Sequence, residues 1–273
     1  MKLESYDDLM LWIKTNNKES YYFRGYKEDF QLISTLGRKK ENKESKVRFE
    51  FLLFQAFALE LVEKLGELRF TELVEIAQHF GLPTRYIDFT IDPLIAVFFG
   101  LGEEDSDCKF RLCYVTEDNP LLQRALTPLD RTWEELFNNN KSWEDVHETY
   151  QSWQSVKCLE SNTPLKKNHL IQPAFENEYK NFFSRQEDFT LVLFSGEKTN
   201  TRKMAQKGIF IAMKNPEEKI KKELYEEIEV ELSNADKLRL RKLLEKENYT
   251  YSNLFPRKIQ DIDIVDIAKK IKN

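Results

Sequence analysis

The chain has 273 residues, 41% hydrophobic and 33% charged, with a formal net charge of -5. That is enough apolar content for one sizeable core spanning 1–273, and the mixed, slightly acidic charge excludes nucleic-acid binding by bulk positive charge, though not a local basic groove. Cys108, Cys113 and Cys158 show no metal-ligand spacing, Met1 to Ser5 starts no signal-peptide pattern, and no apolar run is long enough for a bilayer, so a reducing cytoplasm without membrane or metal is the expected setting.

Residues 5–16 read as a short amphipathic helix with Tyr6, Leu9, Leu11 and Trp12 on its apolar side. Tyr21-Tyr22-Phe23 suits a buried strand that closes on Arg24-Gly25. Phe49, Leu52, Leu53, Ala56, Leu59, Val62 and Leu65 recur at three- and four-residue steps, which predicts a helix over 45–65 stopped by Gly66. A second helix is expected from an N-capping Thr71 to Phe80, ended by Gly81 and Pro83. Thr84 to Phe89 reads as a strand. Asp92-Pro93 then opens a buried helix, with Asp as N-cap and Pro at the first helical position.

Phe110 to Val115 reads as a central strand. Residues 117–162 turn polar and Asn-rich and read as a helical insertion or lid. Strands are expected near 168–173 and 189–194, a helical turn at 202–207 and a strand from Ile209 to Met213. Residues 217–225 read as a charged helix, and Ile228, Val230 and Leu232, alternating with Glu227, Glu229 and Glu231, as a half-exposed edge strand. Ser233, with Asp236 in the capping-box position, opens a helix to about Glu247, and 259–272 reads as a last helix in a helical C-terminal part, 233–273. Helices first, then strands with interspersed helices, favour an α+β domain with a mixed or antiparallel central sheet flanked by helices.

No Gly-rich phosphate loop, H-E-x-x-H or G-x-S-x-G motif occurs. Three places carry candidate chemistry. Arg24 sets a planar donor fork at a strand end, fit for a phosphate or carboxylate, or for an ion pair with a core carboxylate. The stretch from Ala77 to Phe99 concentrates ionisable groups in an apolar run. His79 there fits an acid, base or ribose donor, or a helix C-terminal residue facing the dipole. Arg85 and Asp88, three apart, point to opposite faces of an ideal strand, so one lines a cleft while the other pins the turn. The third place is Asn200-x-Arg202-x-x-x-Gln206-x-Gly208-x-Phe210, with Arg202 and Gln206 on one helical face. An ordinary turn between strands is its plain alternative.

Phe23-Arg24-Gly25, Ala77-Gln78-His79, Pro83-Thr84-Arg85, Asp88-Phe89-Thr90 and Pro93-Leu94-x-Ala96-x-Phe98-Phe99 together resemble the FRG domain family. Arg202-x-x-x-Gln206-x-Gly208-x-Phe210 and Asn253-Leu254-Phe255-Pro256 also look like it. The likeness runs from about residue 20 to the end, without the middle insertion. Tyr86 and Phe89 stand where Leu and Trp are more usual. The resemblance implies a bacterial or phage-related protein of the defence or toxin kind.

A more distant resemblance is to ADP-ribosyltransferases of the Arg-Ser-Glu type. Arg24-Gly25 and Thr84, Thr90 and Ala96-x-Phe98-Phe99 are similar in order to their Arg-Gly strand end, Ser/Thr-rich strand and following helix. It implies an ADP-ribosyltransferase-like fold with NAD as substrate. Arg24 and Gly25 would then hold its phosphates or nicotinamide ribose. Thr84, Thr90 and Arg202 would support the nucleotide, and His79 and Arg85 would orient ribose or phosphate. Asp88 would orient His79 or Arg85, and Gln206 would meet the leaving group or the acceptor, a protein or nucleic acid. Gln206 stands in the region where those enzymes carry their catalytic Glu; Glu187, Asp188 and Glu197 are its carboxylate neighbours in sequence. Two other classes stay open. One is a non-catalytic module sensing a nucleotide or nucleic acid; the other is a scaffold with Arg24, Arg85 and Asp88 in a buried ion network.

Overall fold

The computed structural model describes residues 1–27, 32–39, 43–66, 68–102, 109–124, 164–171, 176–177, 179–180, 183, 188–192 and 205–255. Most of the expected insertion at 117–162, Arg202, and the expected helix at 259–272 lie outside them. The architecture is α+β. Its strands are β1 (Lys2–Leu3), β2 (Tyr21–Tyr26), β3 (Leu68–Arg69), β4 (Tyr86–Thr90), β5 (Lys109–Thr116), β6 (Leu122–Arg124), β7 (Pro164–Leu165), β8 (Phe189–Val192), β9 (Gly208–Met213) and β10 (Tyr225–Glu231). Its helices are α1 (Tyr6–Asn16), α2 (Lys43–Leu65), α3 (Phe70–His79), α4 (Pro93–Leu101), α5 (Lys167–Leu170), α6 (Asn234–Lys246) and α7 (Tyr251–Leu254).

Eight strands form one sheet in the order β1-β10-β5-β2-β4-β9-β8-β6. It is mixed: β1 with β10 and β6 with β8 run parallel, and the other pairs are antiparallel. The sheet has one weak seam. β2 pairs β5 over six positions and β4 pairs β9 over five, but β2 meets β4 only at Phe23 and Thr90. Because directly paired residues share a face, Phe23 and Thr90 point the same way, and that face carries two separate helix layers. Over β10, β5 and β2 lies a core from α1, α4 and α6, holding Leu9, Trp12, Val97, Phe110 and Leu240. Over β4 and β9 lies a core from α2 and α3, holding Phe57, Leu61, Leu73, Tyr86 and Phe210. The opposite face buries Tyr22, Ile87, Val115, Ile211 and Leu224.

Local chemistry explains the elements that frame the seam. Asp92 caps α4 by accepting from the Leu94 amide at 2.9 Å, with Pro93 in the first turn. Helix α3 ends where Gly81, at φ 71°, donates to the Gln78 carbonyl and Leu82 to that of Ala77. This is the paired bonding that a left-handed residue after a helix allows. Gly25 has no Cβ because one there would sit 1.7 Å from the Ala96 carbonyl oxygen, so α4 lies directly on β2.

Several expectations are corrected. Leu11 is exposed on α1, while Ile13 takes its place in the core. Strand β2 runs past Arg24-Gly25 to Tyr26. Helix α3 starts at Phe70, one residue before the expected cap. Residues 167–170 are helical, where a strand was expected. The charged helix at 217–225 is absent. In its place Lys219 bridges to Ile33, Ile220 and Leu224 are buried as loop anchors, and only Lys222–Leu224 turns helically. Apolar anchoring of these two residues outweighs the few tenths of a kcal/mol that helical Glu–Lys pairs supply. Strand β10 is not itself the edge: two-residue β1 lies outside it. Two of its glutamates are paired, Glu227 with Arg111 at 3.1 Å and Glu231 with Lys109 and Lys2 at 2.9 and 2.7 Å. No helix among the described residues is long and apolar enough to cross a membrane.

Candidate functional site

A cleft of about 430 Å³ opens at the seam. β2 contributes Arg24, Gly25 and Tyr26 to its lining, β4 Asp88 and Thr90, α3 Glu75, Gln78 and His79, and α4 Ala96 and Phe99. Gln206, Gly208 and Phe255 complete it. So Arg24, His79, Asp88, Thr90 and Gln206, spread over 183 positions of sequence from residue 24 to residue 206, share one cavity.

Arg24 bridges the seam. Its Nη1 donates to the Asp88 carbonyl at 2.6 Å and lies 3.8 Å from the Asp88 carboxylate. Its Nε is buried and has no hydrogen-bond partner among the described residues. A buried N–H left unmatched costs free energy unless something accepts from it. Exposed Arg38 lies within electrostatic reach: partial desolvation and then the like charge of Arg24 hold its guanidinium below its ordinary value, with Asp88 opposing.

Gln78 organises the carboxylate side. Its Nε2 donates to both Asp88 oxygens at 3.1 Å, and its Oε1 accepts from the Thr84 hydroxyl. Asp88 is thus aimed by Gln78 and Arg24. The His79 ring meets Phe80 edge-on at 4.8 Å. Thr90 accepts from the Asp92 amide at 3.1 Å and donates to the Gln206 carbonyl at 2.8 Å, so it joins β4 to the start of β9. The Gln206 side chain donates to the Leu254 carbonyl at 2.8 Å. Its amide is therefore engaged with the C-terminal turn.

Two expected site residues lie elsewhere. Arg85 precedes β4, so strand alternation does not govern it. It is 1% exposed, and its Nε and Nη2 reach Glu50 Oε2 at 2.7 and 2.5 Å, while its main-chain N–H donates to Glu50 Oε1 at 2.9 Å. Its guanidinium also lies 3.7 Å from the centre of the Phe183 ring. Burial pulls that guanidinium down, but Glu50 outweighs burial and holds it above its ordinary value. Of the two residues three apart, Asp88 lines the cleft and Arg85 pins the structure. Thr84 is buried and reaches the cleft only through Gln78. Arg202 lies outside the described residues.

Glu75 is the residue that sequence reasoning missed. It is 2% exposed yet lines the cleft, one helical turn before His79 and three residues before Gln78. The signal was present in Glu75-x-x-Gln78-His79, whose polar members share one helical face and interrupt the apolar residues Leu73, Val74, Ile76 and Ala77. Among the described residues no group of three His, Cys, Asp or Glu side chains could hold a metal ion.

No curated protein and no solved structure matches the chain. Residues 19–109 do match the model of the FRG domain family, and this span contains Arg24, Glu75, Gln78, His79 and Asp88 and so most of the cleft: over that third of its length the chain is similar to FRG domains.

Proposed function

We propose that the cleft binds NAD and that the protein is an ADP-ribosyltransferase-like enzyme, its fold a variant of the one those enzymes use. The observation that carries this reading is Arg24: a guanidinium at a break in the sheet, lining a cavity, with a buried Nε donor available to an anion. Such a fork suits a pyrophosphate. The cavity lies in the size range of small-molecule sites and adds aromatic walls at Phe99 and Phe255. In NAD cleavage the glycosidic C–N bond breaks, its electron pair leaves with nicotinamide, and positive charge builds on the ribose. Water or an acceptor nucleophile then bonds to that carbon and gives up a proton. Glu75 is the buried carboxylate placed to stabilise that charge, the part that Gln206 could not play.

A module for RNA or DNA is disfavoured by Asp88 and Glu75 in the same cavity as Arg24, which would repel a polyanion. Calorimetry with millimolar NAD, together with nicotinamide release and transfer of labelled ADP-ribose, tests the reading. Arg24→Ala should weaken binding about ten- to a hundredfold, the worth of a charge-assisted contact to phosphate. Absence of NAD binding to the wild type overturns it. In a bacterial host the same activity would act as a toxin or anti-phage effector, so induced wild type should arrest growth and Arg24→Ala should not.

A further inference from the structure

We infer that Phe255 and Phe99 form a stacking subsite for a flat heteroaromatic ring, the ring end of a nucleotide whose phosphates lie on Arg24, and that Gln206 and Asp92 are the positioning residues that build it. This rests on the nucleotide reading above and names where one end of the ligand goes. Phe99 comes from α4 and Phe255 follows α7, and both rings line the cleft. They meet edge to face, with centroids 5.9 Å apart and planes at 83°. Tyr251 stacks on one face of the Phe255 ring, with centroids 4.2 Å apart and planes at 19°. Both phenylalanines are only partly buried, so their rings present apolar surface to the cavity that also holds the Arg24 guanidinium. A cavity with a cation and paired aromatic rings complements a ligand that is anionic at one end and flat and apolar at the other.

The placement of these rings is held by specific bonds. Asp92 Oδ1 accepts from the Leu94 amide and so caps the helix that carries Phe99. Asp92 Oδ2 accepts from the Tyr249 hydroxyl and from Lys207 Nζ, each at 2.7 Å. One carboxylate therefore references α4, the start of β9 and the chain leading to Phe255 to each other. The Gln206 side chain then ties the C-terminal turn at the residue before Phe255, through the Leu254 carbonyl. Thr90 fixes the Gln206 backbone from β4. A polar network of this kind is more than a surface turn needs, and its product is a ring on the wall of the cleft.

The test is calorimetry on the full chain with NAD, ADP-ribose, nicotinamide mononucleotide and ribose phosphate, which carries no heteroaromatic base. Phe255→Ala should weaken at least one ring-bearing ligand about ten- to a hundredfold and leave ribose phosphate unchanged. The ligand that suffers tells whether the ring is adenine or nicotinamide. Phe255→Trp should keep the affinity, and the fluorescence of the new indole should change on binding. Gln206→Ala should weaken the same ring-bearing ligand with ribose phosphate unaffected. If wild type binds NAD and Phe255→Ala binds every ligand as tightly, with no fluorescence response in Phe255→Trp, the subsite is overturned and the nucleotide reading stands. If wild type binds none of the four, both fall.

Discussion

Replacing Arg85 by methionine separates the buried ion pair from the cleft. The substitution leaves the Glu50 carboxylate, 3% exposed, without the guanidinium that reaches it at 2.7 and 2.5 Å. It also removes the donor to the Lys214 carbonyl at 3.2 Å and the contact over Phe183. Breaking a buried pair by deleting one partner costs about 3–5 kcal/mol, because the remaining charge stays desolvated. For a chain of this size each kcal/mol lowers the melting temperature by about 2–4 °C, so a fall of roughly 6–20 °C is expected. The double variant Glu50→Gln with Arg85→Met removes the stranded charge and keeps an oxygen for the Arg85-position amide, so it should recover most of the loss. Thermal melting by circular dichroism reads both. Below its melting point Arg85→Met should bind NAD like the wild type. The reasoning fails if Arg85→Met melts within about 2 °C of wild type, or if the double variant melts no higher than the single.

Three further outcomes are expected. Gly25→Ala places a Cβ 1.7 Å from the Ala96 carbonyl oxygen, so α4 must move off β2; overpacking of this kind costs about 1–3 kcal/mol or more, and melting temperature and NAD affinity should fall together. Glu75→Gln keeps shape and removes charge, so NAD cleavage should drop roughly 100-fold with melting little changed; unchanged turnover would remove Glu75 from the chemistry. Asp92 is half-buried, which raises its pKa, but hydrogen bonds from Lys207 and Tyr249 prevail and hold its carboxyl below the ordinary value. A carboxyl depressed in the folded state adds stability that is full above its unfolded pKa of about 3.9 and is lost as pH falls through the lower folded value. Asp92→Asn should therefore flatten the acid limb of the melting profile below about pH 4, and an unaltered limb would show that Asp92 does not supply it.

Much of this molecule was legible where the signal is local. The three- and four-residue apolar steps of α2, the Asp92-Pro93 start of α4 and the Ser233 cap of α6 each involve chemistry within one turn of the chain. Arg24 was legible as a donor at a strand, though not that β2 would continue past it. What escaped depends on contacts distant in sequence. The partner of Arg85 is Glu50, on a helix whose apolar face was itself read only in part: Leu52, Ala56 and Leu65 are exposed, while Phe51, Phe54, Phe57 and Leu61 are buried. Glu75 was hidden among apolar neighbours that read simply as core. The short helix at 167–170 and the loop anchored by Ile220 and Leu224 are set by burial in cores built from other elements, against weak local preference.

The seam between β2 and β4 ties these observations together and constrains how Arg24 variants must be read. Two neighbouring strands paired at one position forgo ladder bonds worth about 0.5–1.5 kcal/mol each. In part the guanidinium of Arg24 replaces them, by donating across the gap to the Asp88 carbonyl. Arg24 therefore has two duties, holding the seam and presenting a donor to the cavity, and Arg24→Ala removes both. Lysine would restore the charge without the fork, since one ammonium cannot both span to the Asp88 carbonyl and offer the separate Nε direction. If the seam bond were the whole of its role, Arg24→Lys would regain melting temperature and ligand affinity in step. If the fork is what binds phosphate, Arg24→Lys regains melting temperature while affinity stays about tenfold or more below wild type. That divergence between the two readouts is the signature of a residue placed for a ligand rather than for the sheet.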